Sequence, residues 1–185
     1  YSDNGSTAVE VSIKMAIQYW KNKELPKRNK ILAFRHAYHG DTFGAMSVSG
    51  RGPFTEAFRE YLFDVLFIDT PDEQNIEYAM SFVESHADEI ACFIYEPLLQ
   101  AAGGMRIYPA TGLDALLKKA REKDILCIAD EVLTGFGRTG SFFAGDFLSH
   151  PADIMCLSKG ITGGTMALGA TACTRDIFNA FLSDD

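Results

Sequence analysis

Short apolar runs alternate with amphipathic stretches along the sequence. Apolar residues recur at three- and four-residue steps in several stretches, which predicts helices. The predicted helices are 6–23, 76–86 and 112–123. Short, almost uninterrupted apolar runs predict buried strands. These runs are 30–34, 65–68, 90–95, 125–129, 154–157 and 167–173. Thr174 is expected to cap a last helix, with Asp176 in its first turn.

Strands that are apolar throughout and are separated by helices predict an α/β fold. In such a fold helices cover both faces of a mostly parallel central sheet. Ligands then bind beyond the carboxyl ends of the strands. This rule points to the polar residues at the predicted strand ends, which are Glu96, Asp130, Glu131, Ser158 and Lys159.

Residues 1–185 are expected to form a single domain. The sequence opens at Tyr1 without an initiator Met and stops shortly after a predicted helix begins. Both ends therefore look cut, and we expect a fragment of a longer polypeptide.

The composition is that of an ordinary globular protein, with 47% hydrophobic and 23% charged residues. A net charge of −8, with no offsetting cluster of Lys or Arg, argues against a nucleic-acid partner. No apolar run approaches the roughly 18 residues that a membrane span needs. No leader sequence suggests secretion, so a cytoplasmic protein is expected.

The four cysteines fit no metal-binding spacing. Cys92, Cys127 and Cys156 lie inside apolar runs, and no C-x-x-C pair occurs. We interpret them as buried, reduced residues, which suits the cytosol. No metal site is expected.

Lys159 lies where a predicted strand leaves the core. A lysine amine that is shielded from water is a nucleophile and can form a Schiff base. The nearby Gly160, Gly163 and Gly164 would let the backbone approach a ligand closely. The alternative is a solvated lysine in a loop.

Asp130 closes the apolar run 125–129. A carboxylate there is costly to bury unless a positive group meets it. The protonated ring nitrogen of a pyridine cofactor would be such a group. A helix cap or a salt bridge with an arginine such as Arg138 are the alternatives.

Two further segments could contact a ligand. Residues 3–7 (DNGST) precede the first helix, whose N–H groups could bind an anion, and Gly5 would let a phosphate come near. A plain N-cap, with candidates within 6–10, is the alternative. Tyr38 could lie on a flat cofactor ring, while His39 or Asp41 fixes its loop; alternatively, Tyr38 only covers the edge of the core.

The segment 135–140 (GFGRTG) satisfies the G-x-G-x-x-G pattern of dinucleotide-binding folds. That interpretation requires a helix to begin within the motif. The residues that follow, 141–146 (SFFAGD), have no helical apolar pattern. A dinucleotide site is therefore not expected.

The order of these candidates, from phosphate loop to aromatic residue, strand-end aspartate and strand-end lysine, resembles the fold-type I, class III aminotransferases. Residues 130–140 (DEVLTGFGRTG) and 157–164 (LSKGITGG) carry the resemblance, which spans essentially the whole chain. It implies the large domain that binds pyridoxal 5′-phosphate (PLP). By the same resemblance, we expect the family's N-terminal segment and C-terminal small domain to be absent from this sequence.

The resemblance also implies cofactor-binding roles. Lys159 would be the catalytic residue, which bonds to PLP and moves a proton at the substrate α-carbon. Asp130 would bind the pyridine nitrogen, Gly5 and Ser6 the phosphate, and Tyr38 would stack against the ring.

The resemblance implies substrate-binding roles for Tyr38, Lys159 and Asp41. Glu96 and Glu131 are supporting candidates, for the substrate or for the Asp130 network.

Four phrases resemble the family members of biotin synthesis: 9–11 (VEV) with 18–20 (QYW), 38–47 (YHGDTFGAMS), 100–106 (QAAGGMR) and 162–168 (TGGTMAL). They imply amino transfer from S-adenosylmethionine to 8-amino-7-oxononanoate, in a homodimer with active sites at its interface. One rival is a class III aminotransferase for ω-amino acids or ornithine. Another is a non-catalytic doubly wound binding domain.

Overall fold

The structure, a computed structural model, describes residues 1–182. The helices are α1 (Gly5–Asn22), α2 (Phe43–Val48), α3 (Ile76–Ser85), α4 (Ala110–Glu122) and α5 (Arg175–Asn179). The strands are β1 (Lys30–Phe34), β2 (Leu66–Ile68), β3 (Ile90–Tyr95), β4 (Leu99–Gln100), β5 (Arg106–Ile107), β6 (Leu126–Asp130), β7 (Ile154–Leu157) and β8 (Ala170–Cys173). Short 3₁₀ helices lie at Glu56–Tyr61, Ala144–Phe147 and Lys159–Thr162.

Six strands form one sheet in the order β2-β1-β3-β6-β7-β8. Five of them are parallel, and β8 runs antiparallel to β7, which confirms the predicted mostly parallel sheet. From β1 the chain proceeds to β2 on one side, whereas from β3 it proceeds to β6 on the other. The strand order therefore reverses between β1 and β3, and a crevice forms at the carboxyl ends of strands at such a reversal.

Helices cover both faces of the sheet, as predicted. One apolar cluster joins α1, α2 and α5 to one face and includes Val9, Ile13, Trp20, Val48 and Ile177. The second joins α3 and α4 to the opposite face and includes Val83, Leu113, Leu116 and Leu117. Each buried leucine stabilises the fold by roughly 1.5–3 kcal/mol, so these helices hold the sheet rigidly beneath its carboxyl edge.

Every predicted helix and strand is present, with ends displaced by at most three residues. The prediction missed α2 and the β4–β5 hairpin, which are too short to show a periodic pattern. Tertiary contacts define α2, because the Glu10 carboxylate of α1 accepts hydrogen bonds from the N–H groups of Gly44 (2.7 Å) and Ala45 (3.1 Å). Such bonds satisfy donors that a helix start leaves unpaired.

Cys92, Cys127 and Cys156 are buried and reduced, as predicted. Burial raises the pKa of the Cys92 thiol to about 12, so this side chain is an inert part of the core. None of the helices within residues 1–182 has the length and apolar character needed to cross a membrane.

Candidate active site

A cavity of about 620 Å³ lies at the carboxyl ends of β1, β3, β6 and β7. Its volume is in the range that accommodates a cofactor-sized ligand. Seven of the predicted site residues line it: Gly5, Ser6, Tyr38, Asp41, Glu96, Asp130 and Lys159. The sheet thus brings together candidates that lie more than 150 residues apart in the sequence.

Lys159 begins the 3₁₀ helix that follows β7. Its φ of 44° lies in the left-handed region, which is uncommon for a residue other than glycine and is often found at functional sites. The preceding residue is anchored, because the Ser158 hydroxyl donates to the Leu168 carbonyl at 2.7 Å. Lys159 itself is exposed, since the cavity is open there, so the expected shielding from water is not present in this chain.

Asp130 is the last residue of β6 and is only 5% exposed. Its Oδ2 lies 2.7 Å from His39 Nδ1, and its Oδ1 accepts a hydrogen bond from the Val132 N–H at 3.1 Å. Asp130 pairs with Cys156 of the adjacent β7, which places it beside the strand that leads to Lys159. The carboxylate therefore faces the same cavity as the lysine.

Neither alternative for Asp130 holds. Arg138 is exposed, and its Nε donates to the Leu133 carbonyl at 2.8 Å instead. The side chain that contacts Asp130 is His39, whose other nitrogen, Nε2, is buried without a hydrogen-bond partner within residues 1–182. Sequence reasoning named His39 only as a loop-fixing residue, and its position next to Tyr38 was the available signal.

Glu131 lies outside the cavity, although it directly follows Asp130. Successive side chains of an extended chain point to opposite sides. Its Oε1 accepts from the Gly145 N–H (2.7 Å), and its Oε2 accepts from the Ala144 N–H (3.1 Å) and the Thr134 hydroxyl (2.5 Å). Burial raises the pKa of Glu131. This residue therefore supports the 134–145 loop rather than the substrate.

The start of α1 forms one wall of the cavity. Asn4 is the N-cap: its side chain accepts from the Thr7 N–H at 3.0 Å, and the Thr7 hydroxyl accepts from the Asn4 N–H at 3.1 Å. An N-cap is therefore present, but at Asn4 rather than at one of the candidates within 6–10. The N–H groups of Gly5 and Ser6 make no hydrogen bond to any other part of the described chain. They are available to an anion.

Gly5 has a packing role as well. A Cβ at this position would lie 2.7 Å from the Val132 side chain. The absence of a side chain thus lets α1 approach the segment after β6 closely. The expectation that Gly5 lets a phosphate come near did not include this packing role, and the phosphate contact itself stays a prediction.

The Ser6 hydroxyl binds the loop that carries Tyr38. It accepts from the Thr42 N–H at 3.0 Å and lies 2.9 Å from the Thr42 hydroxyl. Gly40, at φ 132°, lies directly against Ser6, where any larger residue would overlap it. These contacts fasten the loop onto α1.

Glu96 connects the Tyr38 loop to the turn after β3. Its Oε1 accepts from the Tyr38 N–H at 3.0 Å, and its Oε2 accepts from the Ala101 N–H at 3.3 Å. Burial, together with the nearby Asp130 charge, raises the pKa of Glu96 to about 7, although His39 and the two N–H groups oppose this shift. Burial and the adjacent Asp41 also raise the pKa of the half-buried Tyr38.

Two glycine-rich segments lie elsewhere. Residues 135–140 form turns in which no helix begins, so the motif does not have the local structure that a dinucleotide-binding loop requires. Gly160, Gly163 and Gly164 are not among the residues that line the cavity, so their approach to a ligand stays a prediction. A Cβ on Gly160 would instead lie 2.7 Å from Phe136.

An α/β fold with this cavity, lysine and aspartate is that of an aminotransferase domain, and the chain belongs to the aminotransferase class-III family, whose model matches residues 1–185. It is 47% identical to the adenosylmethionine-8-amino-7-oxononanoate aminotransferase of Synechococcus elongatus, over 99% of this chain and 45% of that protein. It is 42% identical to the enzyme of the same name from Staphylococcus aureus, over 100% of this chain and 44% of that protein.

Solved structures agree with these sequence relatives. The adenosylmethionine-8-amino-7-oxononanoate aminotransferase of Methanocaldococcus jannaschii matches with a TM-score of 0.94 and 40% identity, over 99% of this chain and 43% of that one. A PLP-bound amine transaminase from an uncultivated Pseudomonas species matches with a TM-score of 0.90 and 37% identity, over 97% and 44%. The chain thus spans less than half the length of these relatives, and the resemblance found in the sequence is confirmed.

Proposed function

We propose that this chain forms the cofactor-binding part of a PLP-dependent aminotransferase that transfers an amino group from S-adenosylmethionine to 8-amino-7-oxononanoate. One observation carries the proposal: Asp130 at the end of β6 and Lys159 just after the adjacent β7 line one cavity together with a helix start that offers unpaired N–H groups. The names of the sequence relatives support the choice of substrates. The product would be 7,8-diaminononanoate.

The residues present fit PLP by their chemistry. The unpaired N–H groups of Gly5 and Ser6 suit its phosphate, because a helix start attracts anions. Asp130 is a buried carboxylate with acceptor capacity left for a ring N–H. Tyr38 lines the same cavity with an aromatic face. An anion site, an acidic acceptor and a nucleophilic amine are the three groups that this cofactor requires.

Bound PLP supplies an aldehyde that condenses with amines and a ring that withdraws electrons. Lys159 would hold the cofactor through its Nζ and, once displaced by the substrate amine, would move the proton at the substrate α-carbon. Asp130 would keep a proton on the ring nitrogen, and His39 would hold Asp130 in the required orientation. Asp41 and Tyr38 would contact the substrate.

The wider assembly is part of the same proposal. We expect residues 1–185 to be one domain of a longer cytoplasmic protein that forms a homodimer. Support comes from the relatives, of which the chain covers only 45% and 44%. Exposed aromatic side chains support burial by a partner: Phe43 is 55% exposed, and Phe54 and Tyr61 are each 73% exposed.

The choice of amino donor is the test, because solved structures of other transaminases share the fold at similar TM-scores. Purified full-length enzyme, with 8-amino-7-oxononanoate as acceptor, is assayed with S-adenosylmethionine, alanine, ornithine or glutamate as donor. We expect turnover with S-adenosylmethionine to exceed the others. Faster turnover with alanine or ornithine would assign a different class III activity, and a preparation without bound or bindable PLP would contradict the aminotransferase proposal itself.

A further inference from the structure

The cavity has a structural weakness at the point where the strand order reverses. The Tyr38 loop follows β1 and leads away to β2, whereas the turn that begins at Glu96 follows β3 and leads to the opposite side. The backbone ladder between β1 and β3 pairs residues only as far as Ala33 and Ile94. Beyond these residues, sheet hydrogen bonds do not join the two walls.

Glu96 supplies the missing connection. One carboxylate oxygen accepts from the Tyr38 N–H (3.0 Å) and the other from the Ala101 N–H (3.3 Å). The residue is itself held in place, since it is only 5% exposed and its carbonyl accepts a hydrogen bond from the Tyr108 hydroxyl. A side chain anchored in this way can transmit rigidity to the loops it binds.

We propose that Glu96 is a positioning residue for the proposed transamination, whose two carboxylate oxygens tie the Tyr38 loop to the Ala101 turn and so fix Tyr38 at the cofactor ring. The inference rests on the proposed function for the identity of that ring. It requires a carboxylate, because the two N–H donors reach different oxygens of Glu96, and an amide side chain would present a donor NH₂ group in place of one of them.

The connection depends on the charge of Glu96. When ionised, both oxygens accept; when protonated, one of them carries a hydrogen and becomes a donor. Since the pKa of Glu96 is raised to about 7, the connection strengthens as the pH rises through that value and weakens as the pH falls. Charged and titratable groups around it are Asp130 and His39, Tyr108 at its carbonyl, and Asp41 and Lys159 in the same cavity.

The experiment compares full-length wild-type enzyme with Glu96→Gln and the matched control Asp153→Asn. Asp153 also has a pKa raised by burial and accepts a backbone N–H, that of Cys127 at 2.7 Å, but it does so at the opposite end of the sheet. For each protein the dissociation constant of PLP and the pH profile of kcat/KM are measured. Hydrogen exchange of the peptides containing Tyr38 and Ala101 is followed in parallel.

We expect Glu96→Gln to weaken PLP binding by about tenfold, the effect of losing one hydrogen bond to a charged group. Its kcat/KM profile should also lose an inflection near the pKa of about 7, whereas Asp153→Asn should keep it. A folded Glu96→Gln enzyme with wild-type PLP affinity and an unchanged pH profile would overturn the inference.

Hydrogen exchange of the wild-type protein tests the inference even if the Glu96→Gln variant does not fold. Protection of the Tyr38 and Ala101 amides should decrease below the pKa of about 7, after correction for intrinsic exchange rates. Constant protection factors across this range would reject the role of Glu96. A wild-type protein that shows the protection change but binds no PLP would contradict only the proposed function.

Discussion

The two ends of the same sheet use their polar groups in opposite ways. At the amino end, Arg28 donates to the carbonyls of Ile90 (3.4 Å), Lys123 (3.0 Å) and Asp124 (3.2 Å). Trp20 Nε1 donates to the Ala91 carbonyl at 2.7 Å. A cavity of about 420 Å³ lies there too, but much of its polar lining is already bound to backbone.

The carboxyl end leaves several polar groups unpaired within the described chain. These are the N–H groups of Gly5 and Ser6 and the buried Nε2 of His39. Lys159 is held there in a left-handed conformation, at φ 44°. Unpaired buried polar groups cost stability unless a ligand meets them. Both ends of the sheet have a cavity, but only the carboxyl end combines its cavity with these unpaired groups. Unused hydrogen-bonding capacity therefore identifies the site better than cavity volume does.

Of the substitutions that test this difference between the two ends, Lys159→Ala should reduce activity most, because it removes the nucleophile from the carboxyl end. In the full-length enzyme we expect a loss of roughly 10⁴-fold in kcat and loss of the visible absorbance band of lysine-bound PLP. Lys118→Ala, at an exposed position on α4, is the control and should retain both properties. A Lys159→Ala enzyme with an unchanged spectrum would show that the amine has been assigned wrongly.

Asp130→Asn should have the next largest effect. The amide can still accept from His39, so the fold and the PLP band should persist, while kcat drops by roughly 10²–10³-fold because a charge is lost at the ring nitrogen. The same substitution at the amino end, Asp153→Asn, should leave kcat within a few-fold of wild type. Steady-state kinetics measure kcat for both variants, and circular dichroism checks that both are folded. A near-normal kcat for Asp130→Asn would refute the role assigned to Asp130.

Trp20→Phe should have the smallest effect on activity and a clear effect on stability. It removes the Nε1 hydrogen bond to the Ala91 carbonyl and shrinks a buried side chain, at a cost of about 1–3 kcal/mol in the free energy of unfolding. Denaturant unfolding measures the loss, and KM should stay unchanged. Tyr19→Phe, on the same helix, should change stability by less than about 0.5 kcal/mol. A large rise in KM for Trp20→Phe would mean that the two ends are coupled.

The sequence by itself determined the elements and two key positions of the site. Apolar periodicity is a local property, so the long helices and the six sheet strands were predictable. Lys159 and Asp130 were identified because both follow apolar runs, and a parallel sheet brings the carboxyl ends of its strands to one edge. Tyr38, Gly5 and Ser6 were recognised as candidates from their order along the chain.

Only the tertiary structure decided which polar groups meet. His39 and Asp130 are 91 residues apart, and Glu96 lies 58 residues from Tyr38, so no local pattern records either contact. Glu131 points away from the cavity that Asp130 lines. The three groups that donate to it belong to the 134–145 loop, whose position could not be predicted from the sequence. A carboxylate's partners depend on strand register and loop paths, which long-range packing sets.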